Sequence, residues 1–181
     1  MKTKSKTRQD VLIEMNLRWL RQALALLPQL DDVAYTTSPR AFRPHRVGAH
    51  LRHIIEFYQC FLDGLGNSHI DYDARRRDET IERNRKAAAG AIENIIASLR
   101  TNALVRESCI VWVRMEDAGA LQVSDAFMES SVSRELQVLS SHTIHHFALI
   151  AMTLRMHGVD LDPEFGMAPS TLRYLAGREA A

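Results

Sequence analysis

Ser141-His142-Thr143-Ile144-His145-His146-Phe147 lies inside the last long helical stretch of the chain, and its register decides how that stretch packs. At 3.6 residues per turn, His142 and His146 fall about 40° apart around the axis and one turn apart along it. Leu139, Leu149, Ile150 and Thr153 surround the same meridian, whereas Gln137, Ser141 and Arg155 lie on the other side. The two imidazoles therefore face the interior, with His145 displaced toward a flank. A lone buried histidine usually finds a carbonyl or a carboxylate. Two inward ones are costly to bury unless something satisfies their nitrogens, and a shared metal ion is the simplest solution.

Working outward, this fourth helix is expected to open at Ser131 or Ser133 and to run to Met156, with Gly158 as its stop. Three earlier stretches share the helical period. The first runs from Thr7 to Leu27, with Val11, Met15, Leu17, Leu20 and Leu24 on one broad face and Pro28 at its end. The second runs from Pro44 to Leu65, with Val47, Leu51, Ile54, Tyr58 and Phe61 at 3–4 spacing. The third is expected from Asp78, a good N-cap, continuously through Ile81, Ile92 and Ile95 to Leu99. Between the third and fourth, Val105 and Cys109 to Val113 are β-branched and aromatic, and Ala118-Gly119-Ala120 supplies a turn before Leu121 and Val123. That texture predicts a small β-hairpin. The tail after Asp162 reads as an irregular strap, in which Leu172 and Tyr174 are expected to pack. The expectation is an all-α four-helix bundle with a β-hairpin insertion, formed as a single domain over residues 1–181.

Composition narrows the function classes. The 181 residues are 46% hydrophobic and 25% charged, ordinary for a globular protein, with a net charge of +1 that creates no field toward nucleic acid or an anionic membrane. The basic start (Lys2, Lys4, Lys6, Arg8) reads as a solvated terminus. Two cysteines, Cys60 and Cys109, make neither a disulfide framework nor a metal knuckle. With no apolar leader and no membrane-length run, the expected setting is cytoplasmic, without nucleic-acid or membrane partners.

Five of the eight histidines fall in two short stretches, and the second helix supplies the other pair in His50-Leu51-Arg52-His53. His50 lies closer than His53 to the apolar meridian of Val47, Ile54 and Phe61, so periodicity alone leans to His50 as a third ligand. Three neutral imidazoles suit a divalent transition metal such as Zn, Ni, Cu or Fe, and three protein ligands leave an open position, as catalytic metal sites do. A di-iron carboxylate site is excluded, because neither Glu56 nor Glu135 has a histidine three residues on and the third helix has no histidine. Cys60 reads as a buried, inert thiol.

The Val47-Gly48 to His53 segment together with His142-x-x-His145-His146 resembles the DinB-like (YfiT-like) superfamily. The order of four helices with a long connection before the last agrees over most of the chain. The resemblance implies one metal ion held by His142, His146 and a helix-2 histidine, which the family register puts at His53, leaving His50 and His145 as alternate or supporting residues. It also implies a metal-dependent enzyme, either a hydrolase or a small-thiol-dependent S-transferase. The alternatives are a non-catalytic metal-binding or stress-response protein, and a dimeric interaction module. A small-molecule substrate and a homodimer are expected. The sequence departs from the family pattern in the charged run Asp71 to Asp78, where Arg75, Arg76 and Arg77 are candidate substrate anchors, and in Phe147 after the double histidine.

Overall fold

The computed structural model describes residues 6–115 and 127–179, and within them the protein is mostly helical with a small three-stranded sheet. Helix α1 spans Arg8–Leu26 and is fixed at its start by a capping box, in which the Thr7 hydroxyl accepts from the Asp10 amide while the Asp10 carboxylate accepts from the Thr7 amide. Short helix α2 (Asp32–Thr36) follows, then α3 (Val47–Gly64). The expected start of this helix at Pro44 is three residues early. The His45 amide donates to the Phe42 carbonyl at 3.0 Å, so Pro44 and His45 belong to a turn ahead of the helix.

The expected third helix is two helices. Helix α4 (Glu79–Arg83) and helix α5 (Arg85–Thr101) meet at Asn84, whose backbone is extended and whose side chain accepts from the Lys86 and Ala87 amides. An asparagine that caps its own following turn competes with helix continuation, and here it wins. Asp78 is the N-cap of α4, as expected, accepting from the Thr80 amide. Helix α6 (Ala103–Arg106) holds Val105, so that residue is helical and buried rather than part of a strand.

Strand β2 (Ile110–Arg114) alternates as the pattern predicts, with Val111 and Val113 buried and Ile110 and Trp112 exposed. With the next described strand of the chain it makes an antiparallel pair ahead of the last long helix, where a hairpin is expected. The Ala118-Gly119-Ala120 turn and the Leu121–Val123 strand lie outside the described residues. The antiparallel neighbour is β3 (Met128–Ser131), and a parallel neighbour, β1 (His69–Asp71), comes from the connection after α3. An ion pair between Arg114 and Asp71 ties β1 to β2.

Helix α7 (Val132–Met156) starts at the Ser131 cap and lies against α3 and α1, while α5 lies against the same two helices. Polar groups set their register. Asn16 donates to the Leu12 and Leu136 carbonyls and accepts from the Tyr58 hydroxyl, and Trp19 donates to Ser140. Each is buried and satisfied, as the low-dielectric interior requires. The start of α3 comes close to the end of α4: a Cβ on Gly48 would meet the Glu82 carbonyl oxygen at 2.0 Å. The tail covers Phe147 with Phe165, whose ring stacks on it at 4.9 Å. Beyond this strap the chain is helical rather than irregular, as α8 (Pro169–Glu179). Leu172 is half-buried there, but Tyr174 is exposed rather than packed. No helix among the described residues is long and apolar enough to cross a membrane.

Candidate metal centre

Helices α3 and α7 face each other along the histidine stretch, and three imidazoles converge between them. His53, His142 and His146 each offer one ligand atom, all within 4.8 Å of one another, and the group contains no carboxylate or thiol among the described residues. Ring centroids are 4.8 Å apart for His53 and His142, 4.6 Å for His53 and His146, and 4.5 Å for His142 and His146. All three side chains are half-buried. The cluster contains His53 rather than the His50 that periodicity leans to.

The residues fit a metal ion at the level of single atoms. His142 Nε2 is buried with no hydrogen-bond partner among the described residues, a costly state for an imidazole nitrogen. The opposite choice, a hydrogen-bonded imidazole, is open to most buried histidines. The ring of His142 is instead held by stacking on Phe57 at 4.0 Å, and Phe57 is stacked on Tyr72 at 4.9 Å. Tyr72 in turn donates to the buried carboxylate of Glu135.

His50 has a supporting place. Its Nδ1 is 2.9 Å from Nδ1 of His146, and its Nε2 is 3.1 Å from Nδ1 of His45. This chain of three rings fixes tautomers. If His146 presents Nε2 as a ligand atom, its Nδ1 carries the proton and donates to His50 Nδ1, so the proton of His50 sits on Nε2 and is donated to His45. His45 escaped the sequence reading because it precedes the helix, where no period applies. Its spacing of five residues before His50 was the available signal. His145 is exposed on the flank of α7, its ring 5.2 Å from that of His146.

Electrostatics keep the cluster neutral. Burial first, then the neighbouring histidines and Arg75, lower the pKa of His53 from 6.5 to about 3. Burial with His145 and Arg75 lowers His142 to about 4, and burial with the surrounding histidines lowers His146 to about 2. His50 is lowered to about 4 by burial and by His45 and His145. Neutral imidazoles are the form that ligates metal. Cys60 is half-buried, and burial pushes its thiol up to about 11, so it is no thiolate nucleophile at neutral pH.

Of the three candidate arginines, Arg75 alone joins the cluster, with Nη1 at 2.6 Å from His53 Nδ1. Arg76 is exposed and lies 3.5 Å from Asp63. Arg77 is exposed with a left-handed backbone, φ 53°. A pocket of about 260 Å³ opens beside the cluster, lined by His45, Ala49, His50, His53 and His146. A larger cavity, about 660 Å³, lies elsewhere between Leu24, Leu27 and Arg85 and contains no imidazole.

No protein-family model matches the chain, and no solved structure matches it. Among curated proteins it is similar to a Rhizopus delemar protein named FK506-binding protein 5, with 30% identity over 109 residues. The match takes in 59% of this chain and spans 27% of the length of that relative.

Proposed function

We propose that this chain is a metal-dependent enzyme of the DinB-like type, a four-helix bundle whose single divalent ion is held by His53, His142 and His146. The observation that carries the reading is His142 Nε2, buried and unpartnered among the described residues, within ligand reach of two further neutral imidazoles. The mutual packing of α1, α3, α5 and α7 supports the bundle. Three imidazoles suit Zn, Ni or Fe and leave a position for substrate.

When bound, such an ion supplies Lewis acidity that acidifies water or a thiol, or polarises a carbonyl. The rest of the work belongs to side chains. His50 and His45 hold His146 in one tautomer. Phe57 and Tyr72 keep His142 in place and exclude water from that side. The candidate proton carrier is His145, which is exposed beside His146, whereas both ring nitrogens of His50 are already engaged. A pocket of about 260 Å³ admits a small molecule, which fits hydrolysis or transfer of a small thiol.

The test is elemental mass spectrometry of wild type and of His53→Ala, His142→Ala and His146→Ala, with turnover of a model ester and of a thiol acceptor. About one metal ion per chain, lost in each variant together with turnover, is expected. A folded wild type that takes up neither Zn²⁺ nor Ni²⁺ sinks the metal reading. Metal bound without turnover of either substrate class leaves a metal-binding protein and removes the enzyme.

A further inference from the structure

His45 belongs to the turn ahead of α3, and its half-buried ring lies against Phe42 with centroids 4.5 Å apart. Its Nδ1 is 3.1 Å from Nε2 of His50, and the two ring planes are nearly parallel, 6° apart. The pocket of about 260 Å³ beside the centre is lined by four imidazoles, those of His45, His50, His53 and His146. Its lining contains no carboxylate and no thiol, and its charged side chains are Arg46 and Arg52, both paired with Glu82. The far side of the centre is closed, since Phe57 stacks on His142 and Tyr72 on Phe57. A hydrated ion that enters through the pocket must exchange water for lone pairs, and the imidazoles are the side chains there that supply them.

We infer that His45 and His50 form a transient capture site, which takes a divalent ion in the pocket and passes it to His53, His142 and His146. Imidazole nitrogen binds zinc at about 2.0–2.1 Å, so two nitrogens at the spacing of this pair subtend an angle between a right angle and the tetrahedral one. Protons make the two positions exclusive. An ion on His45 Nδ1 and His50 Nε2 uses both of those lone pairs, which puts the His50 proton on Nδ1. That proton is donated across 2.9 Å to His146 Nδ1, and the proton of His146 is then on Nε2. The filled centre needs the reverse order, with His146 Nε2 bare. Hand-over therefore shifts the protons in step. His146 Nε2 gives one to water, His50 Nδ1 passes one to His146 Nδ1, and His50 Nε2 takes one from water. The count is unchanged, and the pair is left hydrogen-bonded, with no lone pair on His50 Nε2 for a second ion. This inference rests on the metal centre proposed above and adds the route by which it fills.

The experiment follows Co²⁺ uptake by the metal-free full chain in stopped flow, by its visible spectrum, and Co²⁺ release into excess EDTA. Circular dichroism confirms the fold of each protein. His45→Asn puts an amide oxygen where Nδ1 stands, so His50 keeps its acceptor while the imidazole ligand is gone. His45→Asp keeps the acceptor and restores a ligand. In His45→Asn, uptake and release are expected to slow by the same factor, about tenfold, the lower end of what residues around a metal centre contribute, with equilibrium affinity unchanged. His45→Asp is expected to take up Co²⁺ at least as fast as wild type. Uptake at the wild-type rate in His45→Asn overturns the capture site, and so does affinity lost through faster release alone, the mark of a merely structural residue. Uptake by His45→Asp as slow as that of His45→Asn also overturns it. A folded wild type that binds no Co²⁺ fails at the earlier step and takes the metal centre with it.

Discussion

Replacing His142 with phenylalanine separates what the centre costs from what it does. The imidazole is held by stacking at 4.0 Å on Phe57, a contact that a phenyl ring retains, and its Nε2 is the buried nitrogen without a partner. Leaving such a group unsatisfied costs about 1–3 kcal/mol, which His142→Phe recovers in the metal-free protein. For a chain of this length about 1 kcal/mol moves Tm by about 2–4 °C, so with chelator present the variant should melt about 2–12 °C above wild type. Zinc reverses the order. At a free concentration near 100 times Kd, wild type gains about 2.7 kcal/mol by mass action, while the variant lacks one of three ligands and gains far less. The assay is a pair of thermal melts for each protein, in EDTA and in Zn²⁺. A variant that melts below wild type in EDTA, or that gains the same increment from Zn²⁺, would refute the argument from the orphaned nitrogen.

Acid should weaken the metal-free protein from an unusually high pH. His53, His142, His146 and His50 all have folded pKa values, between about 2 and 4, below the ordinary 6.5. Below about pH 6.5 the unfolded chain therefore binds protons that the folded chain excludes. Stability is fully present above 6.5 and declines as pH falls toward the folded values; urea midpoints in EDTA that stay flat from pH 7 to 4.5 would contradict this. Gly48→Ala places a Cβ 2.0 Å from the Glu82 carbonyl oxygen and 2.9 Å from the Tyr35 ring. Because the nearer atom is backbone, α3 and α4 must separate, at about 1–3 kcal/mol, and a melt matching wild type would show that the approach is looser than described.

The long helices were legible because their apolar positions repeat at 3.6 residues and their ends carry strong signals, such as Thr7, Asp78 and Ser131. Asn84 was not legible as a break, since the apolar period runs on through it and only its side chain bonds to Lys86 and Ala87 reveal the interruption. Strand β1 is three residues long, below the length at which alternation can be read, and its pairing with β2 spans about forty residues of sequence. The inward pair His142 and His146 could be read from their own helix. The choice between His50 and His53 could not, because a helical wheel locates the centre of the apolar face and not the side on which α7 lies. Arg75 and His45 come from connections, which have no period, and they reach the cluster through turns that only the folded chain specifies.

Asn16 bonds at once to its own helix, to the Leu136 carbonyl of α7 and to Tyr58 of α3. Sliding α7 by one helical turn, about 5.4 Å, would break the bond to Leu136, and sliding α3 would break the bond from Tyr58, in either case leaving a polar group of Asn16 unpaired in an apolar interior. The asparagine thus acts as a key cut for one alignment of three helices, and the imidazoles of α3 and α7 inherit their spacing from it without touching it. A transplant of His53, His142 and His146 onto another pair of helices would copy the ligands and leave the key behind. Drift in the apolar residues between key and centre is tolerable as long as the alignment holds, whereas Asn16→Leu would blur a site whose own residues are untouched.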